Sequence, residues 1–191
     1  MDAKGILQFQ LNGSFNLLTE IADEASDLEW RSRSFPAANL VGFTVWHGAR
    51  TLDWAVNCVM RDSPEVADQS EWRDIKVAGA VFGAGVSRET ADEVVERVTR
   101  TRVGAYIKAV RQETLAWLGD LRDEDLSATT DLKQRHAAKP EYMAPAVWEE
   151  VESLHGIPGW QFLARPCMSH IRVHYGELKT QLEALRTAPP A

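Results

Sequence analysis

Apolar residues recur at steps of three and four along four long stretches of the chain, which is the spacing of one face of an α-helix. No stretch alternates apolar and polar residues as a half-buried β-strand would. The pattern therefore predicts an all-α protein. The four predicted helices run from about Ile6 to Trp30, from Leu40 to about Met60, from Ser87 to Gly119 and from about Trp160 to Arg186.

Residues that cap or break helices set the expected limits of these segments. Pro36 cannot lie inside a helix, and Asn39 is expected to cap the second helix. Ser87 is expected to cap the third. The glycine-rich segment from Gly79 to Gly85 lacks the Gly-Lys-Ser/Thr ending of a phosphate loop, so its glycines are expected to serve backbone turns.

The helix lengths and the modest connections predict one domain, residues 1–191, folded as an antiparallel four-helix bundle. Additional short helices are expected in the connections, including an apolar element around Ala146–Leu154. The stretch from Leu121 to Tyr142 is expected to be polar and irregular. Residues 187–191 are expected to fray.

Composition narrows the class of partner. A net charge of -7 argues against a nucleic-acid backbone or an anionic membrane as the main partner. The chain has no apolar run of membrane-spanning length, and its first residues lack the features of a signal peptide. Cys58 and Cys167 form no CxxC pattern, so they are expected to be reduced and buried in a cytoplasmic protein.

Three of the five histidines form a candidate metal site. His170 and His174 are four residues apart on the apolar face of the last predicted helix, so both rings can point to one place. His47 has the equivalent inward position on the second helix. Three imidazole ligands leave positions on a metal open for water or substrate. A metal-free bundle whose inward histidines bond to each other is the weaker alternative.

The other candidate residues have plainer expected roles. His136 is expected at the surface of a polar stretch, and His155 at a helix end or in a loop. Cys167 is expected to pack as a small apolar side chain.

Three short blocks of sequence resemble DinB-like proteins, a superfamily that includes YfiT-like metal-dependent hydrolases and low-molecular-weight-thiol transferases. The blocks are Asn39–Asp53, which contains His47, the Phe82–Asp92 turn and helix start, and Ser169–Leu178, which contains His170 and His174. The resemblance implies a four-helix bundle, often dimeric, in which one histidine of the second helix and two of the last bind a metal. These ligands correspond to His47, His170 and His174.

Three charged residues near these histidines have two interpretations each. Arg50 either binds an anionic group of a substrate or forms a salt bridge inside the bundle with a residue such as Asp53, and the salt bridge is slightly favoured. Glu177 either orients the ring of His174 or faces solvent.

The leading functional hypothesis is a metal-dependent enzyme that acts on a small molecule. A divalent transition metal such as zinc, nickel or iron could activate a bound water for hydrolysis, or bind a low-molecular-weight thiol and direct it at an electrophile. Thiol transfer is favoured, because no general base is evident beside the histidines. The alternative is a non-catalytic metal-binding dimer that serves stress response or ligand sequestration.

Overall fold

The computed structural model describes residues 3–187, and within this range the protein is all-α, as predicted, without a β-strand. Thr187 ends the last helix, and the rest of the tail predicted to fray lies outside the described residues. The α-helices are α1 Ala3–Glu24, α2 Asp27–Trp30, α3 Val41–Asp53, α4 Arg88–Arg97, α5 Arg100–Asp120, α6 Asp123–Ser127, α7 Leu132–Arg135, α8 Pro145–Val151, α9 Gly159–Leu163 and α10 His170–Thr187. Short 3₁₀ segments are Val66–Asp68, Ser70–Ile75, Pro140–Met143 and Glu152–Leu154.

Four long helices enclose the core. Helix α1 packs against α5 and α10, and α3 packs against the same two helices. Their inward residues are fully buried, among them Leu11 and Phe15 of α1, Leu52 of α3 and Leu178 of α10. Burial of each such side chain contributes about 1.5–3 kcal/mol, so this apolar face holds the helices together. It also fixes α3 and α10, the two helices that carry the candidate ligands, side by side.

Two of the predicted helices are interrupted. The first stretch breaks after α1, where Ser26 caps α2 and exchanges hydrogen bonds with Glu29. The third stretch was expected to be one helix, but it breaks at Val98, and the Thr99 hydroxyl caps α5. Apolar spacing continues across both breaks, and local side-chain caps decide where the helices end.

The expected caps had different outcomes. The Ser87 prediction is confirmed, because its hydroxyl accepts the backbone N–H of Thr90. The Asn39 prediction is wrong: Leu40 occupies the N-cap position of α3, and no side chain caps that end. Residues expected to be irregular between Leu121 and Tyr142 include α6 and α7.

Both ligand-bearing helices contain a π-helical segment. Helix α3 continues into Trp54–Met60, and Ala164–Ser169 leads into α10. Pro166 lies in the second segment, where its missing N–H cannot serve a regular α-helical bond. The wider turn accommodates the proline and changes which side chains share a face.

The glycine-rich connection makes the expected turns. Gly79, Gly83 and Gly85 have φ of 77°, 98° and 63°, which favours glycine. Val81 also has a positive φ of 47°, an uncommon conformation for a β-branched residue. The Arg50 guanidinium donates a hydrogen bond of 3.3 Å to its carbonyl and so holds this turn against α3.

A buried ion cluster surrounds Arg50. Its guanidinium lies 2.7 Å from the Glu65 carboxylate and 3.4 Å from that of Asp53, and it donates to the Tyr106 hydroxyl. Tyr106 donates in turn to Asp53. Burial acts to lower the pKa of Arg50, but Tyr106 and the carboxylates raise it well above the usual value.

The Asp53 carboxylate of the cluster also accepts hydrogen bonds from backbone N–H groups. Asp53 accepts the N–H groups of Val66 and Ala67 at 2.9 and 3.0 Å, which caps the first 3₁₀ turn. Burial raises the pKa of Asp53, whereas Arg50 and Lys139 outweigh burial and lower that of Glu65. The structure therefore assigns Arg50 and Asp53 to an internal salt-bridge network.

None of the helices within residues 3–187 is both long and apolar enough to cross a lipid bilayer.

Replacing Arg50 should destabilise the protein strongly. Arg50→Met keeps much of the volume but removes the cation beside Asp53 and leaves Glu65 with Lys139 alone. We therefore expect a loss of about 3–5 kcal/mol in the free energy of unfolding. Chemical denaturation measures this loss. Arg97→Gln removes an exposed partner of Glu93 and should cost less than about 0.5 kcal/mol. Equal losses for the two variants would contradict the central role of Arg50.

Candidate metal centre

The three predicted histidines meet between α3 and α10. The Nε2 atom of His170 lies 3.2 Å from Nε2 of His47 and 2.9 Å from Nε2 of His174. The ligand atoms of all three fall within 4.8 Å of one another. The rings of His170 and His174 are held together by their four-residue spacing on α10, and packing of α3 on α10 brings His47 to them.

Hydrogen bonds to the far side of two rings determine which nitrogen faces the centre. Nδ1 of His47 lies 2.6 Å from the carbonyl oxygen of Phe82, and Nδ1 of His174 lies 2.7 Å from the Glu177 carboxylate. Both partners only accept, so each Nδ1 carries a proton, and in the neutral form of either ring the Nε2 atom has the lone pair. These are the contacts that orient histidine ligands of metals.

His170 cannot satisfy both neighbours by hydrogen bonding. A proton on its Nε2 can be donated to the lone pair of His47 or to that of His174 but not fully to both, so one of these lone pairs stays without a donor. Its Nδ1 is buried without a hydrogen bond of ordinary geometry in the described structure. A cation between the three Nε2 atoms removes this conflict.

The spacing also fits a metal. Nitrogens about 2.0–2.1 Å from a tetrahedral zinc ion lie about 3.3–3.4 Å apart, and neighbouring ligands of an octahedral ion lie about 2.8–3.0 Å apart. The distance of 2.9 Å matches the octahedral spacing, and that of 3.2 Å lies between the two. The residues present therefore fit a divalent transition metal bound by three neutral rings.

Burial keeps two of these rings neutral. It is the largest cause that lowers the pKa of His47 to about 3, and the neighbouring His170 and His174 add to the effect. Burial and His174 likewise lower the pKa of His170 to about 4, although the Pro166 carbonyl opposes this change. Neutral imidazole is the form that binds metal.

The three histidines open onto a cavity of about 520 Å³. Trp54 and Phe82 stack with ring centroids 4.6 Å apart and form an aromatic part of its wall. Glu150 lines the same cavity, so the structure supplies a carboxylate that the sequence did not place near the histidines. This residue weakens the argument that thiol transfer is favoured for want of a general base.

Some of the other predicted residues contact the histidines or the cavity, and others lie away from them. Glu177 contacts His174, whereas Arg50 and Asp53 are not among the residues that line the cavity. Cys167 is fully buried, as expected, and burial raises the pKa of its thiol. His155 follows a 3₁₀ turn, as expected, and its Nδ1 accepts the N–H of Leu132.

The surface position predicted for His136 is wrong. The residue is fully buried, and its Nε2 accepts a hydrogen bond of 2.9 Å from the Trp54 indole N–H. His136 follows Leu132 by four residues, and both are buried on one face of α7 and its end. This spacing was the available signal. The histidine supports the tryptophan that forms part of the cavity wall.

The site is also shaped by groups that the sequence did not indicate. The Phe82 carbonyl oxygen accepts a hydrogen bond from His47, and because it belongs to the backbone, no residue type could indicate it. Gly83 passes close to His47: a β-carbon at this position would lie 2.5 Å from Nδ1 of His47. Thr51 and Arg165 line the cavity as well. Thr51 follows His47 by one helical turn, which was a usable signal, whereas the position of Arg165 depends on the π-helical segment.

Comparison with known proteins shows the fold alone. No family model matches the chain, and no curated protein matches it. A crystal structure of a conserved protein from Enterococcus faecalis superposes on 98% of this chain and 99% of its own, with a TM-score of 0.69 and 16% sequence identity. The helical arrangement therefore occurs in another protein of nearly the same extent.

A methyl group at position 83 should disturb the site specifically. Gly83→Ala places a β-carbon against His47, so we expect its affinity for added zinc to fall about tenfold or more. Gly79→Ala is the matched control, since Gly79 also has a positive φ but has nothing within 4 Å of the added carbon.

Both alanine variants should lose about 1 kcal/mol of stability or more because alanine disfavours positive φ. Competition with a chromophoric chelator measures the zinc affinity, and denaturation measures the stability. The close contact with His47 would be unimportant if both variants bound zinc as the unchanged protein does.

Proposed function

We propose that His47, His170 and His174 bind a divalent transition metal, with zinc, nickel and iron as the candidates. The observation that carries this proposal is the convergence of three Nε2 atoms, two of which have their protons held on the opposite nitrogen by Phe82 and Glu177. A hydrogen-bonded trio without metal leaves one nitrogen lone pair without a donor, and it is the weaker explanation.

We also propose that the protein is DinB-like, with one antiparallel four-helix bundle over residues 1–191. Packing of α1, α3, α5 and α10 supports this arrangement, and so does the similarity in fold to the Enterococcus faecalis protein. A cytoplasmic homodimer is part of the same proposal. Phe9 on α1 and Val173 on α10 are exposed beside the contact of Gln10 with Arg172, and they are candidate residues of the dimer surface.

The open cavity supports an enzyme that acts on a small molecule. A metal bound by three histidines supplies Lewis acidity at its open positions. Phe82 and Glu177 hold two rings in place, and Trp54 and Phe82 exclude water from one side. The Glu150 carboxylate, on the cavity wall, can accept a proton from a thiol or a water molecule. Thiol transfer to an electrophile and hydrolysis are both within this chemistry.

Loss of one histidine should abolish stable metal binding. Protein purified without an affinity tag should contain about one metal ion per chain, and His47→Ala, His170→Ala and His174→Ala should each lose it, because a single remaining pair binds weakly. Elemental analysis of the purified variants gives the answer. His155→Ala removes a histidine outside the site and should retain the metal. Full metal content in all three site variants would refute the assignment.

Catalysis should depend on the metal. We expect turnover of at least one electrophile, with a low-molecular-weight thiol or with water, to disappear on chelation and to return when the metal is restored. The measurement is product formation across a panel of electrophiles and thiols, with His174→Ala as the inactive control. A metal-saturated protein without any turnover would favour a non-catalytic role in stress response or ligand sequestration.

A further inference from the structure

The cavity contains a buried hydroxyl that no protein group satisfies. Thr51 is only 2% exposed, and its Oγ1 has no hydrogen-bond partner within the described structure. The residue lies one helical turn beyond His47 and lines the same cavity. Buried polar atoms in native proteins are usually paired, so a hydroxyl left free beside a cavity can bond to a molecule or a water held there.

The cavity is also lined by the cationic side chain of Arg165. Arg165 is the only arginine or lysine among the described residues that line it. Arg165 is exposed, and its guanidinium makes one long contact, 3.4 Å to the Ser153 carbonyl, and no salt bridge within the described structure. Most other arginines here pair with acidic residues, as Arg102 does with Asp74.

The π-helical segment explains how Arg165 comes to face the histidines. In a regular α-helix, residues five apart point about 140° away from each other. The π-helical bond joins residue i to i+5, and Ala164–Ser169 has this form. Arg165 and His170 therefore share a side, and both line the cavity.

We infer that the cavity binds a small carboxylic acid with an apolar body. The guanidinium of Arg165 pairs with the carboxylate, because its planar fork matches two carboxylate oxygens. The stacked rings of Trp54 and Phe82 contact the apolar body. The Thr51 hydroxyl donates a hydrogen bond to a polar atom near His47. This inference rests on the proposed function for the reacting end of the substrate, which the histidines would face.

Two probes of the same shape, one anionic and one neutral, test whether the cavity recognises the carboxylate charge. Binding of 3-phenylpropionate and of its neutral amide to the full chain is measured by calorimetry, once with one equivalent of zinc and once after chelation. The acid should bind about tenfold more tightly than the amide in both forms. Arg165→Gln should reduce this ratio to about one, and Arg172→Gln, which removes an arginine outside the cavity, should leave it unchanged.

Thr51→Val keeps the shape of the side chain and should weaken both probes by a similar factor of about three to ten. A preference for the acid that needs zinc and survives in Arg165→Gln would mean that the metal alone binds the carboxylate, and this would overturn the inference. Failure of the acid to bind either form would also overturn it. If the protein bound no metal but still preferred the acid to the amide in an Arg165-dependent way, the proposed function would be refuted. The inference about the carboxylate would still stand.

Discussion

The guanidinium of Arg50 is the point at which four parts of the chain meet. It pairs with Glu65 beside the first 3₁₀ turn, donates to Tyr106 of α5 and Tyr142, and holds the Val81 carbonyl of the glycine-rich turn. A buried charge without partners is strongly destabilising, so these contacts hold the four segments around the guanidinium. The turn fixed in this way presents the next carbonyl, that of Phe82, to His47. The orientation of the first candidate ligand therefore depends on an ion cluster that never touches the cavity.

In two of the three histidines, one ring nitrogen orients the ring and the other faces the candidate metal position. The outer nitrogens of His47 and His174 are occupied by a carbonyl and a carboxylate, while their inner nitrogens converge with that of His170. Around this centre the cavity has an aromatic wall, a carboxylate from Glu150 and a guanidinium from Arg165. A carboxylate and a guanidinium on the walls, with three imidazole rings at the centre, suit a bound molecule with distinct ends.

The sequence predicted features that depend on regular spacing. The helical class, the cap at Ser87 and the meeting of His170 with His174 all follow from residues three or four apart. Packing of α3 on α10 then brought His47 to the pair, which its inward position had indicated. Other features depend on backbone or distant context. The helix break at Val98 required a local cap, the burial of His136 required Trp54 as its donor, and the position of Arg165 required a π-helical turn.

The three candidate ligands differ in when they become neighbours as the chain folds. His170 and His174 are four residues apart and meet as soon as α10 forms, whereas His47 is 123 residues away from His170. Closing so long a loop has an entropic cost that only the complete helical core can offset. An unfolded chain thus keeps only two of the three candidate ligands close together, and the third arrives last. Occupancy by the proposed metal would therefore report completion of folding, and its release would accompany global unfolding.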